Sequence, residues 1–460
     1  MFDEEMYDDL YEEITKLIED KNYARIRDLI ADMEPADIAA LFEEFPPEQF
    51  TLLFRLLPKL SAAEVFVEMD SDMQMQLVEG FSDAELGYVV DKLFMDDTVD
   101  IIEEMPANIV KRILAQATPA KRQMINQLLH YPKDSAGSIM TTEFVELRPE
   151  MKVSEAFGRI RDTGLKKETI YTCYVTDKER HLIGVTTVKD MIIAGDDAVI
   201  EDIMETAIVS VNTLDDKEDV ARSMDKYDFL AIPVTDKENR LVGIVTFDDA
   251  MDVISEEDTE DIEKMAAILP SDKPYLKTSP FEVWKKRIPW LLLLMVSATF
   301  TGQIIASFEE KLAALSVLIA YIPMLMDTGG NSGSQASVTV IRGLSLGDIS
   351  FSDFFRVVWS EIRVSVLCGA TLAAANFVKL IVVDRLIFGN EDLTYPVIAV
   401  ICITLVVTVF IAKLVGCTLP MLAEKIGFDP AVMASPFITT IVDALSLLIY
   451  FQFTKLILQI

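Results

Sequence analysis

Two hydropathy textures divide the chain. From residue 1 to about 130, apolar positions recur at spacings of three and four, as in Ile38, Leu41, Phe42 and Phe45, with breaks at Pro46-Pro47, Pro58, Pro106 and Pro119. This pattern predicts a succession of short amphipathic helices, each too small to bury its own face, so that neighbours stack into a helical solenoid. After Lys285-Lys286-Arg287 the pattern reverses, and five segments approach the roughly 20 apolar residues that a membrane span requires. They lie near residues 288–307, 312–341, 355–383, 396–420 and 431–458.

Between these regions, residues 134 to 254 read as a duplicated α/β unit. Ile139-Met140 recurs as Ile203-Met204, Val175-Thr-Asp-Lys-Glu as Val234-Thr-Asp-Lys-Glu, and Ile183-Gly184-Val185 as Val242-Gly243-Ile244. The offset falls from 64 to 59, so the first copy carries about five extra residues between its helix and its central strand. Each copy ends in Thr-x-x-Asp, Thr187 with Asp190 and Thr246 with Asp249. The expected division is 1–132, an acidic all-α domain; 133–197 and 198–254, two α/β repeats; 255–284, an acidic connecting helix; and 285–460, an all-α membrane domain of five helices.

Five spans place the two ends of the membrane domain on opposite sides. The positive-inside rule puts Lys285, Lys286, Arg287, Arg342, Arg356, Arg363, Lys413 and Lys425 on the cytosolic side, and Lys311, Lys379, Arg385 and Lys455 on or near the other. The start, MFDEEMYDDL, has neither a basic region nor an apolar run, so the first half is expected in the cytosol and the C-terminus outside it.

Charge sharpens this division. The formal net charge is −34, and residues 1–280 carry 62 acidic against 29 basic residues, whereas 281–460 carry 13 against 12. Such an acidic half repels nucleic acid and anionic lipid and attracts divalent cations; the plainer reading is that its charge only solvates helix faces. Cys173, Cys368, Cys402 and Cys417 form no CxxC pair, and His130 and His181 stand far apart, so neither a disulfide framework nor a transition-metal site is expected.

The chemistry concentrates in two apolar segments. The second contains Asp327-Thr-Gly-Gly-Asn-Ser-Gly-Ser-Gln335, where Gly329, Gly330 and Gly333 permit close backbone approach and Asn331 offers an amide oxygen. That suits either a cavity lining or a helix-packing notch. The last carries Asp443 inside an apolar run, preceded by Thr439 and Thr440 at helical spacing and by Pro436, expected to kink the helix. An ionised acid at such depth costs several kcal/mol unless a watery cavity or a cation faces it. Asp429, 14 residues earlier, would lie about 21 Å nearer the cytosol on a continuous helix, as a mouth acid or as a helix cap before Pro430. One carboxylate cannot hold a divalent ion alone, but two copies of Asp443 on a dimer axis could, with Mg²⁺ keeping most of its water.

The duplicated unit resembles a tandem CBS pair, and the whole set of motifs, GGNSGSQ and DPAVMASPFITTIVDA above all, resembles the MgtE family of magnesium channels over nearly the whole chain. The CBS resemblance implies an adenine nucleotide such as ATP held by Thr187, Asp190 and Thr246, or a purely structural pair. The family resemblance implies a homodimer in the cell membrane, with Asp443 and Asn331 lining an axial pore, Asp429 at its cytosolic mouth, and Gly329, Gly330, Thr439 and Thr440 along the path. It further implies closure when cytosolic Mg²⁺ bridges acidic surfaces formed by Asp228, Asp249 and Asp252, by Glu257, Glu260 and Asp261 of the connecting, or plug, helix, and by Glu64, Asp96 and Asp100 of the helical domain. Asp327 has no role assigned by the family pattern, beyond adding to the pore field. Rival readings are a Na⁺- or H⁺-coupled carrier and a non-transporting Mg²⁺ or nucleotide sensor. No Walker sequence, nucleophile elbow or histidine cluster suggests an enzyme.

Overall fold

The computed structural model describes residues 4–271, 275–308, 316–433 and 435–459; Lys311, residue 312 at the expected start of the second span, and Ala434 lie outside them. The chain forms two compact units, Met1–Ile254 and Ser255–Ile460.

The first unit opens with short helices, α1 (Glu4–Glu19), α2 (Tyr23–Ile30), α3 (Pro35–Glu43), α4 (Pro47–Phe54) and α5 (Lys59–Val67). They continue with α6 (Ser71–Gly80), α7 (Asp83–Lys92), α8 (Met95–Glu104), α9 (Ala107–Gln116) and α10 (Pro119–Leu128). The prolines sit at helix starts, Pro47 and Pro119 in the first turn and Pro46, Pro58 and Pro106 at the caps, where a missing N–H breaks no helical bond. Helices pack chiefly on the second helix along, α3 on α5, α4 on α6, α5 on α7, α7 on α9 and α8 on α10. Residues 105–133 contain no acid at all. Two cations of that stretch are structural: Arg112 donates to the carbonyls of Val78 and Phe81, and Lys121 Nζ to those of Val90 and Leu93 at 2.6 Å each, satisfying the open carbonyls that end α6 and α7.

The repeat follows as β1 (Val145–Leu147), α11 (Val153–Thr163), β2 (Thr172–Thr176), β3 (Leu182–Thr187) and α12 (Val188–Ala194), with α13 (Ile200–Ile203) opening the second copy. That copy continues with β4 (Val211–Asn212), α14 (Lys217–Tyr227), β5 (Ala231–Thr235) and β6 (Leu241–Thr246). In both copies the first strand runs parallel to the second and the second antiparallel to the third, with the register slipping after Val175 and after Val234. The extra residues of the first copy include a 3₁₀ turn, Gly164–Lys166. The repeated Ile-Met and Gly positions interlock crosswise: Met140 sits where a side chain at Gly243 would project, its Sδ 2.7 Å from that point, and Met204 does the same at Gly184.

Helix α15 (Phe247–Met265) leads from the repeat into the second unit, which holds α16 (Pro280–Ser307), α17 (Ile322–Ser345), α18 (Phe354–Lys379), α19 (Tyr395–Lys425) and α20 (Ser435–Leu458). Among the described residues, four stretches are long and apolar enough to cross a membrane, Pro280–Ser307, Phe351–Ile387, Tyr395–Lys425 and Pro430–Leu458. Helix α17 has 24 residues, but its polar motif lowers its hydropathy. Its α-helical part begins at Ile322 with Pro323 in the first turn, after a 3₁₀ turn Ser316–Tyr321.

Three further expectations change. Pro436 stands in the first turn of α20, so it kinks nothing, and because a 3₁₀ turn Pro430–Met433 precedes that helix, no continuous helix joins Asp429 to Asp443. Lys413, inside the fourth expected span, is a buried residue of α19. Gly329 and Gly330 pack inward, Gly329 against Thr408, Val442 and Ser446, and Gly330 against Thr439, which is the packing notch rather than a lining. Gly333 and Gly416 meet backbone to backbone, an approach that no side chain would allow.

Candidate functional site

Helix α17 carries Asp327, Asn331 and Gln335 at i, i+4 and i+8, so they share one face, and all three are exposed in the single chain. The opposite face, with Gly329, Gly333 and Ala336, is buried. A polar stripe turned away from the chain's own apolar helices is unsuited to lipid. Asp443 lies eight residues into α20, about 12 Å along it. It is near enough to Asp327 for the two charges to interact. Its Oδ1 is buried and has no hydrogen-bond partner. Thr439 and Thr440 stand one turn before it; Thr440 Oγ1 donates to the Pro436 carbonyl at 2.9 Å, and the Thr439 methyl fills the space above Gly330.

At the start of the last span, Asp429 uses both oxygens. Oδ1 accepts the Ala431 N–H at 2.7 Å, the expected cap, and Oδ2 meets Lys264 Nζ at 2.6 Å. Lys264 also pairs with Glu260 on its own helix. Burial opposes its charge, but the bonds to Asp429 and Glu260 outweigh it and hold the pKa well above the ordinary lysine value. Ser345 Oγ, at the end of α17, donates to Asp261 Oδ2 at 2.9 Å, and Met265 packs with Ile341 and Ala431. The last turns of α15 therefore seat on the ends of α17 and the 430 turn, bringing Glu260 and Asp261 to Asp429, with Glu257 one turn earlier on the same helix.

A second acidic group lies wholly within the first unit. Asp96, 5% exposed, has its pKa raised well above the usual value by burial and then by Asp249 and Asp97. Burial, with Asp248 and Glu68 adding to it, pushes Asp97 up to about 6. Asp249 is raised by burial to about 6, against the hydrogen bonds that it accepts from Thr246. Glu168 reaches about 8, by burial and then by Asp97, Asp248 and Asp249. Asp100 is raised by burial first and then by Asp249 and Asp97. Glu68 is raised by burial and then by Asp252, while Glu64 is exposed on α5 and Asp228 is an exposed left-handed C-cap of α14. Sequence reading missed Glu68, Asp97 and Glu168, for acids are so frequent in this half that spacing singles none out.

These carboxyls hold their protons more tightly folded than unfolded. The stability that they contribute is therefore fully present below their unfolded values near pH 4 and is lost as pH rises through about 6 for Asp97 and Asp249 and about 8 for Glu168. A divalent ion, which prefers the ionised form, offsets that loss. In the full-length protein we expect about 10 mM Mg²⁺ to raise the thermal midpoint by about 5 °C at pH 8 but by roughly 2 °C at pH 5.5, read by scanning fluorimetry against EDTA. Equal shifts at both pH values would rule out this group as the cation site. Among the described residues, no three carboxylate, imidazole or thiol groups converge tightly enough to cage a metal.

In the repeat, Thr187 Oγ1 donates to Asp190 Oδ2 at 2.6 Å and accepts the Asp190 N–H at 3.1 Å, capping α12, while at the start of α15 the Thr246 hydroxyl and N–H both donate to Asp249 Oδ2. A separate cleft of about 200 Å³ is lined by Phe144, Arg159, Lys167 and Arg180 among others, and by neither threonine.

A soluble α-helical and CBS-paired half joined to long apolar helices, with a lone acid in the last, defines a membrane transporter. Residues 322–453 match the family described as a divalent cation transporter, residues 33–134 the MgtE intracellular N domain, and residues 136–197 and 200–256 the CBS domain. The magnesium transporter MgtE of Thermus thermophilus is 36% identical over 408 residues, 88% of each chain, and that of Bacillus subtilis 32% over 385 residues, 84% of this chain and 83% of its own. A crystal structure of the cytosolic domain of the Mg²⁺ channel MgtE in complex with ATP matches at 34% identity and a TM-score of 0.50, covering 52% of this chain and 98% of that one. The soluble part of a magnesium transporter matches at 29% and 0.51, covering 55% and 99%. The chain belongs to the MgtE family of magnesium transporters.

Proposed function

We propose that the chain is a Mg²⁺-selective channel of the cell membrane, assembled as a homodimer and closed by Mg²⁺ collecting on its acidic cytosolic half. The observation that carries this reading is the partnerless, buried Oδ1 of Asp443 beside the exposed stripe of α17. A second copy across a two-fold axis doubles the Asp443, Asp327 and Asn331 oxygens and adds the hydroxyls of Thr439 and Thr440. Together they face a hydrated ion with acceptors and supply no thiolate or imidazole for softer metals. Five spans carry the path, with the N-terminus in the cytosol and the C-terminus outside.

The gate follows from charge. Without Mg²⁺ the carboxyls about Asp96 and Asp249 repel one another; with it, repulsion becomes bridging and the compact state gains population. Asp252, Asp228, Glu64 and Asp100 enlarge that surface, while Glu257, Glu260 and Asp261 of α15 carry the change to Asp429 at the mouth. An adenine nucleotide on the CBS pair, near Thr187, Asp190 and Thr246, is a second ligand, a reading supported by the ATP complex of the related cytosolic domain. Reconstituted protein should pass unitary Mg²⁺ currents far above carrier turnover when Mg²⁺ on the side of the acidic half is low, and fall silent at millimolar levels. Mg²⁺ uptake by liposomes with no such currents would favour a carrier instead.

A further inference from the structure

The charge that Lys413 carries is spent inside the helix cluster. Lys413 of α19 is 5% exposed, its Nζ 3.6 Å from Glu361 Oε2 on α18, and that oxygen is buried with no hydrogen bond. Lys413 lies twelve residues, about 18 Å, from the end of its helix, deep for an ammonium. Helix α19 has two working faces. On one, Thr408, Ala412 and Gly416, at i, i+4 and i+8, lie against Gly329, Gly333 and Ala336 of α17, backbone on backbone at Gly416. On the other, Val406 packs on Gly369 of α18, and Lys413, seven residues on, returns to that face to meet Glu361, eight residues before Gly369.

The glycine face is smooth. Only small side chains, Thr408, Ala412 and Ala336, lie between the two backbones there, so close approach fixes their distance more firmly than the rotation of α19 about its own axis. An ion pair within the cluster is directional, and a buried polar pair at such a seam can fix which of several similar packings is adopted. We propose that Glu361 and Lys413 are a positioning pair that sets the rotation of α19 and thereby, through Ala412 and Gly416, the angle at which α17 presents Asn331 to the ion path. This rests on the pore reading above.

The test is Mg²⁺ uptake by proteoliposomes carrying full-length variants, with thermal stability and assembly measured on the same samples. Lys413→Met alone leaves a buried carboxylate uncompensated and should lower uptake about tenfold. The apolar double, Lys413→Met with Glu361→Met, should regain assembly and stability yet shift the half-saturating Mg²⁺ concentration by about threefold, which a purely stabilising pair would leave unmoved. The swapped pair, Lys413→Glu with Glu361→Lys, should recover at least half of the maximal rate. An apolar double with the parent's rate and half-saturation, or a swap no better than the single variant, overturns the proposal. Should Asp443→Ala transport normally, the pore reading fails; should it be dead while the apolar double is normal, only the positioning role fails.

Discussion

Asp443→Ala is expected to lower Mg²⁺ flux on the order of 100-fold while leaving the assembled protein as stable as its parent. Both halves of that expectation come from one atom. Asp443 Oδ1 is buried without a hydrogen bond, so alanine breaks none at that atom, and it relieves the chain of a desolvated charge close to Asp327. On the pore reading proposed above, the flux falls because the hydrated ion loses the fixed negative charge that attracts it along the path. A loss of about 2.8 kcal/mol there corresponds to that factor, since each 1.4 kcal/mol is tenfold. Asp443→Asn, which keeps oxygen but not charge, should fall between. Radiometric or fluorescent uptake with parallel size-exclusion profiles decides it: unchanged flux removes Asp443 from the path, and lost assembly makes it a packing residue.

The second large effect is on closure. Converting Asp249, Asp252 and Glu257 together to Asn, Asn and Gln should leave currents running at Mg²⁺ concentrations that silence the parent, moving the inhibitory midpoint at least about tenfold. Asp249 is the strongest of the three on structural grounds, because burial and its neighbours already disfavour its charge and a bound cation would reverse that. Asparagine there keeps an acceptor for the Thr246 hydroxyl and N–H, so the cap of α15 is preserved and charge alone is tested. Parent-like inhibition in patch recordings would place the sensing surface elsewhere.

Much of the architecture was legible because it is periodic or repeated. The short helices between prolines, the two CBS copies down to the extra residues after α11, and the long apolar helices all leave local marks in the chain. The glycines of α17 had two readings until tertiary packing turned them inward and Asp327, Asn331 and Gln335 outward. The Glu361–Lys413 pair escaped because each charge is single in its own stretch of helix, and Lys413, counted with the cytosolic-side cations, fitted a topological rule that ignores partners. Pro436 misled through boundary error: the helix starts at Ser435 rather than near 431, which makes it a first-turn residue instead of a kink.

Because Met140 fills the notch above Gly243 and Met204 the one above Gly184, neither copy of the repeat closes its own interior. Severed between them, each half would present an unlidded sheet and a stranded thioether to water. The smallest piece able to fold is accordingly the couple, and an ancestor holding a single copy would have needed a twin to complete it.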